Sequence, residues 1–212
     1  MTDYPQVKDL IVLAADGQIE FAVKGLLTRN QAFGFHEISY DIFVHPHRDP
    51  GCLLRCHDFL RPFCHQYAHA FVMFDREGCG KEEFPRELLE NEVEKRLSES
   101  GWNNRATVIV LDPELEIWVW SDSPEVAQIL GWSGKSPPLS LWLQQTGYLG
   151  GHQQKPKSPK EAMEEALRIA NKRRSSSIYL ELAKRVGVDR CVDPAFMKFK
   201  SFMRQWFGTN EI

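Results

Sequence analysis

The sequence has no apolar run long enough to cross a membrane, since none approaches the roughly 18 residues that a helical span needs. Its first residues lack a basic region followed by an apolar stretch, so we expect no signal peptide and a cytoplasmic protein. Cysteine is scarce. The five thiols are an odd number without a small-scaffold spacing, which favours reduced cysteines over a disulfide framework.

Two catalytic signatures are missing as well. The glycines of Gly78-x-Gly80-Lys81 lack the eight-residue frame of a phosphate-binding P-loop. No G-x-S-x-G nucleophile motif occurs in the chain. These absences exclude the common P-loop nucleotide hydrolases and the serine hydrolases of that motif. Because the chain has no nucleotide-binding motif, a partner with its own ATPase or methyltransferase domain would fit a non-catalytic role.

The overall composition is that of a folded protein, but the charge is divided unevenly. Hydrophobic residues make up 42% and charged residues 26% of the 212 residues, which excludes intrinsic disorder. The net charge of −3 combines −9 over residues 1–154 (13 Lys and Arg against 22 Asp and Glu) with +6 over residues 155–212 (13 against 7). An acidic body with a basic tail suits an anionic ligand held near a metal-loaded site, but charge alone favours two solvated helical faces.

Four segments have the pattern of β-strands. Residues 10–15, 70–74 and 107–111 are short apolar runs, as in strands buried on both faces of a parallel sheet. Residues 37–44 alternate between polar and apolar side chains and predict a fourth strand, at an edge. Helical spacing of apolar residues lies between strands, so the sequence predicts an α/β fold with a mainly parallel central sheet flanked by helices.

The helices are predicted from caps and apolar spacing. They are expected after the first strand, at 56–67, from Pro85 to Ser98, after an Asp112–Pro113 cap through Trp120, after Ser123, at 139–146, over 160–186 with a break near 175–177, and after Asp193. We therefore divide the chain into an α/β domain (1–132), a loop-rich connection (133–159) and a basic helical C-terminal region (160–212) that packs on the domain.

Acidic residues follow the ends of the predicted buried strands. Asp16 follows the first strand, and Asp75 and Glu77 follow the third. Asp112 and Glu116 follow the fourth. In an open parallel sheet, ligands bind beyond the carboxyl ends of the strands, and clustered carboxylates become favourable around Mg²⁺. The pattern predicts a site for Mg²⁺ or Mn²⁺ at this edge, while the alternative is that strand ends are simply where turns rich in Asp and Gly occur.

The order of the motifs resembles that of Toprim domains, in particular the RloB-like and OLD-nuclease-like Toprim proteins of bacterial phage-defence loci. Those proteins typically read Glu-Gly-x-Thr-Glu after the first strand, where this chain has residues 16–20. Their Asp-x-Asp motif corresponds here to Asp75-Arg76-Glu77. A Pro-x-x-Glu-x-Trp element corresponds to Pro113–Trp118, and the final helix begins with a similar Pro-x-Phe at 194–196.

This resemblance implies a Toprim-like fold and a Mg²⁺-dependent nuclease, or other phosphodiesterase, in a prokaryotic antiviral system. It implies that Asp16, Asp75 and Glu77 hold the metal, that these three or Glu20 act as general base, and that Glu116 supports them. Other defence proteins and nucleic acid are the partners that it implies, with no membrane involved. The alternative is a non-catalytic subunit of a defence complex that binds a partner protein or nucleic acid.

Two positions depart from the Toprim pattern. Asp16 replaces the longer glutamate of the first motif, and Glu77 replaces the shorter aspartate of the second. Each exchange keeps the charge but moves a carboxylate by one methylene, and a displacement of about 1 Å can cost roughly 10²-fold in rate. The altered lengths favour the non-catalytic alternative, whereas the retained number of carboxylates favours an enzyme.

The segment at 52–69 is rich in cysteine and histidine. Cys52 and Cys56, and likewise His65 and His69, are four residues apart and would share a helix face. Cysteine and histidine are the preferred ligands of zinc, but the C-x₃-C-x₇-C spacing is not that of a known zinc finger. The segment is either a zinc site or an ordinary helix with buried cysteines.

Basic residues concentrate in the C-terminal region. They are Lys172, Arg173, Arg174, Lys184, Arg185 and Arg190. Such a patch would bind a nucleic-acid backbone with an affinity that depends on salt but not on base sequence. The alternative is a solvated helix face, and the sequence leaves both open.

Overall fold

The computed structural model of the protein describes residues 7–150, 153, 155–187 and 191–209. The strands of its sheet are β1 (Lys8–Ala14), β2 (Tyr40–Val44), β3 (Tyr67–Asp75) and β4 (Ala106–Leu111). All neighbouring pairs are parallel, and the strands lie in the order β2–β1–β3–β4. The predicted α/β class with a parallel central sheet is therefore confirmed.

Helices flank the sheet on both sides in the described part of the chain. They are α1 (Gly17–Leu27), α2 (Asn30–Phe33), α3 (Arg48–Leu60), α4 (Arg86–Leu97), α5 (Glu116–Val119), α6 (Pro124–Ile129), α7 (Leu139–Gln145), α8 (Pro159–Ile169), α9 (Ser176–Arg185) and α10 (Pro194–Phe207). Helix α10 packs on the sheet through Phe199, whose ring centroid lies 5.3 Å from that of Phe71 in β3. Within the described ranges, every helix is too short or too polar to span a lipid bilayer.

The three apolar runs form strands because both of their faces are covered. Residues 10–15, 70–74 and 108–111 are completely buried, so every side chain along these runs can be apolar. Strand β2 differs, since its first four residues are only half-buried and it begins at Tyr40, three residues later than predicted. This strand lies at one edge of the sheet, as its alternating pattern indicates.

The predicted helix at 56–67 is misplaced. Helix α3 covers Arg48–Leu60, and β3 already begins at Tyr67. The buried stripe of this helix starts with Cys52 and Cys56, which are both 0% exposed. With these thiols on its buried face, the helix begins about two turns earlier than the spacing of Phe59 and Phe63 predicts.

The predicted helix cap at Asp112 and Pro113 is also wrong, because α5 begins only at Glu116. Asp112 instead accepts a hydrogen bond from Nε of Arg76 at 2.8 Å. The carbonyl oxygen of Pro113 accepts from the backbone N–H of Glu77 at 2.9 Å. These two bonds tie the loop after β4 to the turn after β3, which brings the acids of both loops together.

Other predicted boundaries are confirmed. Helix α4 follows Pro85. The predicted break between two helices is present, but it covers 170–175 and not 175–177, because α9 already begins at Ser176. Asp193 caps α10, where its Oδ1 accepts from the backbone N–H of Phe196 at 3.0 Å. These cap signals are local, which is why the sequence alone places them correctly.

Strand β4 lies at the other edge of the sheet, and glutamates of α4 cover its free N–H groups. Glu90 accepts from the N–H of Val110 at 3.0 Å, and Glu94 accepts from the N–H of Val108 at 2.9 Å. Lys198 of α10 donates to both carboxylates, at 3.0 and 2.8 Å. Side-chain acceptors thus take the place of a fifth strand, which hinders edge-to-edge pairing with another chain.

Helix α1 packs closely against α9 at Gly25. A Cβ atom at this position would lie 2.6 Å from Cβ of Ala183 and 2.8 Å from the carbonyl oxygen of Leu180. Both distances are shorter than real carbon contacts. The two helices can therefore pack at this spacing only because residue 25 has no side chain.

Replacing Gly25 with alanine is expected to lower the free energy of unfolding by about 1–2 kcal/mol, because overpacking outweighs the gain in helix propensity. Urea unfolding measures the change. Gly17→Ala in the same helix is the matched control, since its Cβ would meet only Oγ of Ser176 at an ordinary 3.5 Å. Equal effects of the two substitutions would contradict the close approach at Gly25.

Candidate metal centre

The registers of the sheet bring the carboxyl ends of the four strands to one edge. Ala14 of β1 lies beside Val44 of β2 and beside Met73 of β3. Asp75 at the end of β3 lies beside Leu111 of β4. The residues that follow these positions therefore share one side of the molecule, which we call the acidic edge after the carboxylates described next.

Three carboxylates meet at the acidic edge. Asp75 ends β3, and Glu114 and Glu116 come from the loop and helix after β4. One carboxylate oxygen from each lies within 4.8 Å of the other two, and the side chains of both glutamates are buried. Carboxylate oxygens are the ligands that Mg²⁺ and Mn²⁺ prefer, so this triad fits such an ion.

Asp75 is strongly perturbed by its surroundings. Its Oδ1 accepts from the N–H of Leu115 at 2.9 Å, and its own N–H donates to Oδ1 of Asp49 at 2.9 Å. Burial, reinforced by the charges of Asp49, Glu116 and Asp16, raises the pKa of Asp75 well above its usual value. Burial also raises the pKa of Asp49, and Asp16 adds to that shift. A cation among these groups would relieve the repulsion.

Asp16 lies at the start of α1, beside the triad. Its Oδ1 accepts from the backbone N–H groups of Gln18 and Ile19, both at 2.9 Å, so this residue caps the helix. The cap uses Oδ1 and leaves Oδ2 for another ligand. Because its charge raises the pKa of both Asp49 and Asp75, the acid predicted from the first motif belongs to the same edge.

Two cations balance part of this charge, and a neutral tyrosine donates a hydrogen bond to it. At the start of α8, the backbone N–H of Lys160 donates to Oε1 of Glu114 at 3.0 Å, and its Nζ lies 3.5 Å from Oε2. Arg174 Nη2 and the phenol of Tyr179 both donate to Oε1 of Glu116 at 2.5 Å. Burial, followed by the charge of Glu116, raises the pKa of Tyr179, so the phenol stays protonated and can donate.

The acidic edge nevertheless keeps an excess of negative charge. Its carboxylates are Asp16, Asp49, Asp75, Glu114 and Glu116. With the two cations Lys160 and Arg174, the net charge is 2 − 5 = −3 when all groups are ionised. A divalent cation would reduce this excess, and an anionic phosphate would approach the edge more easily once the cation is bound.

Three acids of the predicted site lie outside the triad, namely Asp16 beside it and Glu20 and Glu77 farther away. Glu20 forms an ion pair with Lys24 at 2.5 Å on the surface of α1. Glu77 is exposed, although its charge contributes to the raised pKa of Glu114 after the larger effects of burial and Glu116. The structure therefore brings Asp75 and Glu116 together as predicted, places Glu77 at the rim, and gives Glu20 a different partner.

The sequence interpretation missed two acids of this edge, Glu114 and Asp49. Glu114 stands two residues before Glu116, and this spacing could have drawn attention to it. Asp49 precedes Pro50, an Asp-Pro pair that is typical of a helix start after a strand. Glu114 lies in the loop after β4 and Asp49 lies in the first turn of α3. The contacts of both acids with other elements depend on the fold, so neither pattern alone reveals the role.

The residues of the predicted basic patch have different partners. Lys172 donates to the carbonyl oxygen of Ile129, and Arg185 pairs with Glu125 at 2.5 Å. Arg174 enters the acidic edge. Of the other predicted members, Arg173 and Lys184 are exposed and Arg190 lies outside the described residues. Three of the six side chains thus have acceptors within the chain itself.

The cysteines and histidines of segment 52–69 do not converge on one point. Burial raises the pKa of Cys56 to about 12 and that of Cys52 well above its usual value, as expected for thiols packed in the core of the domain. His69 stacks on Trp206 with ring centroids 4.3 Å apart. Among the described residues, the group suited to a metal is the acid triad rather than this segment.

No protein-family model, curated protein or solved structure matches the chain. The Toprim resemblance therefore rests on the order of the sequence motifs, to which the structure adds a parallel α/β fold with acids at the carboxyl edge. The chemistry of the site has to be argued from its own geometry.

Replacing Tyr179 with phenylalanine is expected to lower the free energy of unfolding by about 1.5–3 kcal/mol, because a buried hydrogen bond to a charged group is lost. The phenol is 1% exposed, donates to Glu116, and accepts from Nε of Arg174 at 3.0 Å. Chemical denaturation measures the loss. Tyr148→Phe is the control. The ring centroid of Tyr148 lies 5.7 Å from that of Trp142, and phenylalanine keeps this ring contact. A loss no larger than that of the control would show that the network around Glu116 contributes little stability.

Proposed function

We propose that the chain is a Mg²⁺-dependent phosphodiesterase of the nuclease class that acts in prokaryotic antiviral defence. The observation that carries the proposal is the triad of Asp75, Glu114 and Glu116, whose oxygens lie within 4.8 Å of one another at the carboxyl edge of a parallel sheet. Ligands of open α/β folds bind at this edge. The excess negative charge and the raised pKa of Asp75 favour a divalent cation there.

Each residue of the acidic edge has a separate role in the proposed cleavage of a phosphodiester. The triad would hold the ion, and a bound Mg²⁺ would polarise a phosphate oxygen and lower the pKa of an attacking water. Asp49 fixes the end of β3 by accepting the N–H of Asp75. Oδ2 of Asp16 is available as a proton acceptor, since the helix cap uses Oδ1. The half-exposed Lys160 ammonium offers a charge for the phosphate.

The assignment to antiviral defence has a different support, namely the resemblance to Toprim proteins of phage-defence loci. Nucleic acid is the substrate class that this resemblance favours, and other defence proteins are the partners. Lys184 and Arg173 are the exposed members of the predicted basic patch that remain for contacts with a phosphate backbone.

A second function is favoured by a specific observation. Lys160 already neighbours Glu114, and Arg174 already pairs with Glu116, so two of the three triad acids have cations without any metal. In this alternative, the chain is a non-catalytic subunit of a defence complex, and the acidic edge is a structural ion-pair network. Such a subunit would bind a partner protein or nucleic acid without cleaving it.

A cleavage assay separates the two functions. The purified chain is incubated with single- and double-stranded DNA and RNA in the presence of Mg²⁺, Mn²⁺ or a chelator. We expect cleavage that requires the ion and that Asp75→Asn abolishes, because the substitution removes a ligand charge. Glu20→Gln is the matched control, since it removes the same charge from α1 outside the triad. Activity that survives Asp75→Asn would refute the site.

Phage plating in the native host tests the defence role directly. The Asp75→Asn variant is compared with a deletion of the chain at equal protein levels. Loss of protection in both strains supports the nuclease. Loss of protection in the deletion alone supports the non-catalytic subunit, and full protection without the chain would remove it from antiviral defence altogether.

A further inference from the structure

Arg174 occupies an unusual position for an arginine that precedes a helix. It stands just before α9, yet its guanidinium reaches back to the acidic edge, where Nη2 bonds to Oε1 of Glu116 at 2.5 Å. Nη1 pairs with Glu164 of α8, and Nε donates to the phenol of Tyr179 at 3.0 Å. The guanidinium therefore bridges one buried acid of the triad and one acid that is half exposed to solvent.

A guanidinium and a divalent ion cannot share Glu116 without cost. Both are cations, and their repulsion is strong at contact distance in a partly buried site. Glu116 already receives two hydrogen bonds at a single oxygen, from Arg174 and from Tyr179. Glu164 offers the guanidinium a second partner in a more solvated position, so Arg174 has an acceptor even without Glu116.

We infer that a divalent ion and Arg174 compete for Glu116, so that binding of the ion releases the Arg174 guanidinium together with the backbone from residue 171 to the first turn of α9. The inference rests on the proposed metal centre and adds its regulation. A released guanidinium becomes able to pair with a phosphate group, and a phosphodiester substrate is then recognised only by the metal-loaded site. Lys160 is a poorer competitor, since its ammonium lies 3.5 Å from Glu114.

Calorimetric titration with Mn²⁺ tests the competition. We expect Arg174→Gln to bind Mn²⁺ more tightly than wild type, on the order of tenfold, because the competing cation is gone. Arg168→Gln is the matched control, since Arg168 pairs with Glu165 on the exposed face of α8 and loses the same charge. Equal affinity of wild type and Arg174→Gln would overturn the inference while leaving the metal centre intact. Absence of Mn²⁺ binding in wild type would overturn both.

Amide hydrogen exchange of the wild-type protein gives a second readout, which needs no substitution. With saturating Mn²⁺, we expect slower exchange at 112–119, where the triad is fixed, and faster exchange at 171–178, where Arg174 is released. A purely through-space effect of the arginine charge predicts no acceleration. Unchanged or slower exchange at 171–178 in the Mn²⁺ complex would therefore overturn the inference even if the Arg174→Gln variant fails to fold.

Discussion

Asp75→Asn is expected to stabilise the metal-free protein at pH 8, by about 1–3 kcal/mol, although it destroys the proposed site. The carboxylate is buried among the charges of Asp49, Glu116 and Asp16, which raise its pKa. Asparagine keeps the Oδ1 acceptor for the N–H of Leu115 and removes the repelled charge. The Asp75 carboxylate would thus be needed for metal binding, although its charge destabilises the metal-free fold.

The pH dependence of this effect has a definite sign. With its pKa raised, folded Asp75 retains a proton that the unfolded chain releases above about pH 3.9, its ordinary value. The free energy of unfolding contributed by this group therefore falls as the pH rises from that value through the folded-state pKa. The advantage of Asp75→Asn should be near zero at pH 4 and should grow towards pH 8.

Urea unfolding of both proteins between pH 4 and pH 8 measures this difference. Other titrating groups, such as His45 and His69, whose pKa values burial lowers, cancel when the variant is subtracted from wild type. Millimolar Mn²⁺ should cancel or reverse the difference, since an ion at 100 times its Kd stabilises only the wild type, by about 2.7 kcal/mol. Glu20→Gln should keep the wild-type response to Mn²⁺. An Asp75→Asn protein that is less stable than wild type at pH 8 without metal would contradict the argument.

The sequence predicts the acids at the ends of strands better than the acids in the loops. Asp75 and Glu116 are recognisable because continuous apolar runs define buried parallel strands, and such strands share one carboxyl edge. Glu114 depends on a contact 46 residues away, where its Oε1 accepts from the N–H of Lys160. No local pattern contains that contact, which forms only when α8 packs on the sheet.

Arg174 shows the same limit for charged residues. Its sequence neighbours are basic, so composition suggests an exposed patch for a phosphate backbone. The Arg174 side chain points to the acidic edge because α9 packs on α1. This packing is possible because Gly25 has no side chain. Long-range packing thus makes Arg174, a member of the predicted basic patch, a counter-ion of the acidic edge. The local sequence pattern does not contain this contact and so cannot predict it.

Glu90→Ala is expected to lower the free energy of unfolding by about 3–5 kcal/mol, since it removes a buried carboxylate that two cations and a backbone N–H share. Glu90 is 3% exposed, and Arg86 and Lys198 bind its carboxylate at 2.7 and 3.0 Å. The same side chain accepts the N–H of Val110 on the free edge of β4. Alanine therefore leaves two cations and a backbone donor without this acceptor.

Urea unfolding of Glu90→Ala, Glu90→Gln and Glu92→Ala separates the contributions. Glutamine can still accept from the N–H of Val110, so its loss should be smaller than that of alanine. Glu92 lies on the same helix with a side chain 44% exposed, and its pairs with Lys81 and Arg96 should contribute less than about 1 kcal/mol. Because an uncovered strand edge can pair with another chain, Glu90→Ala alone should also form soluble oligomers in size-exclusion chromatography. A monomeric Glu90→Ala protein as stable as Glu92→Ala would show that Glu90 neither stabilises nor protects this edge.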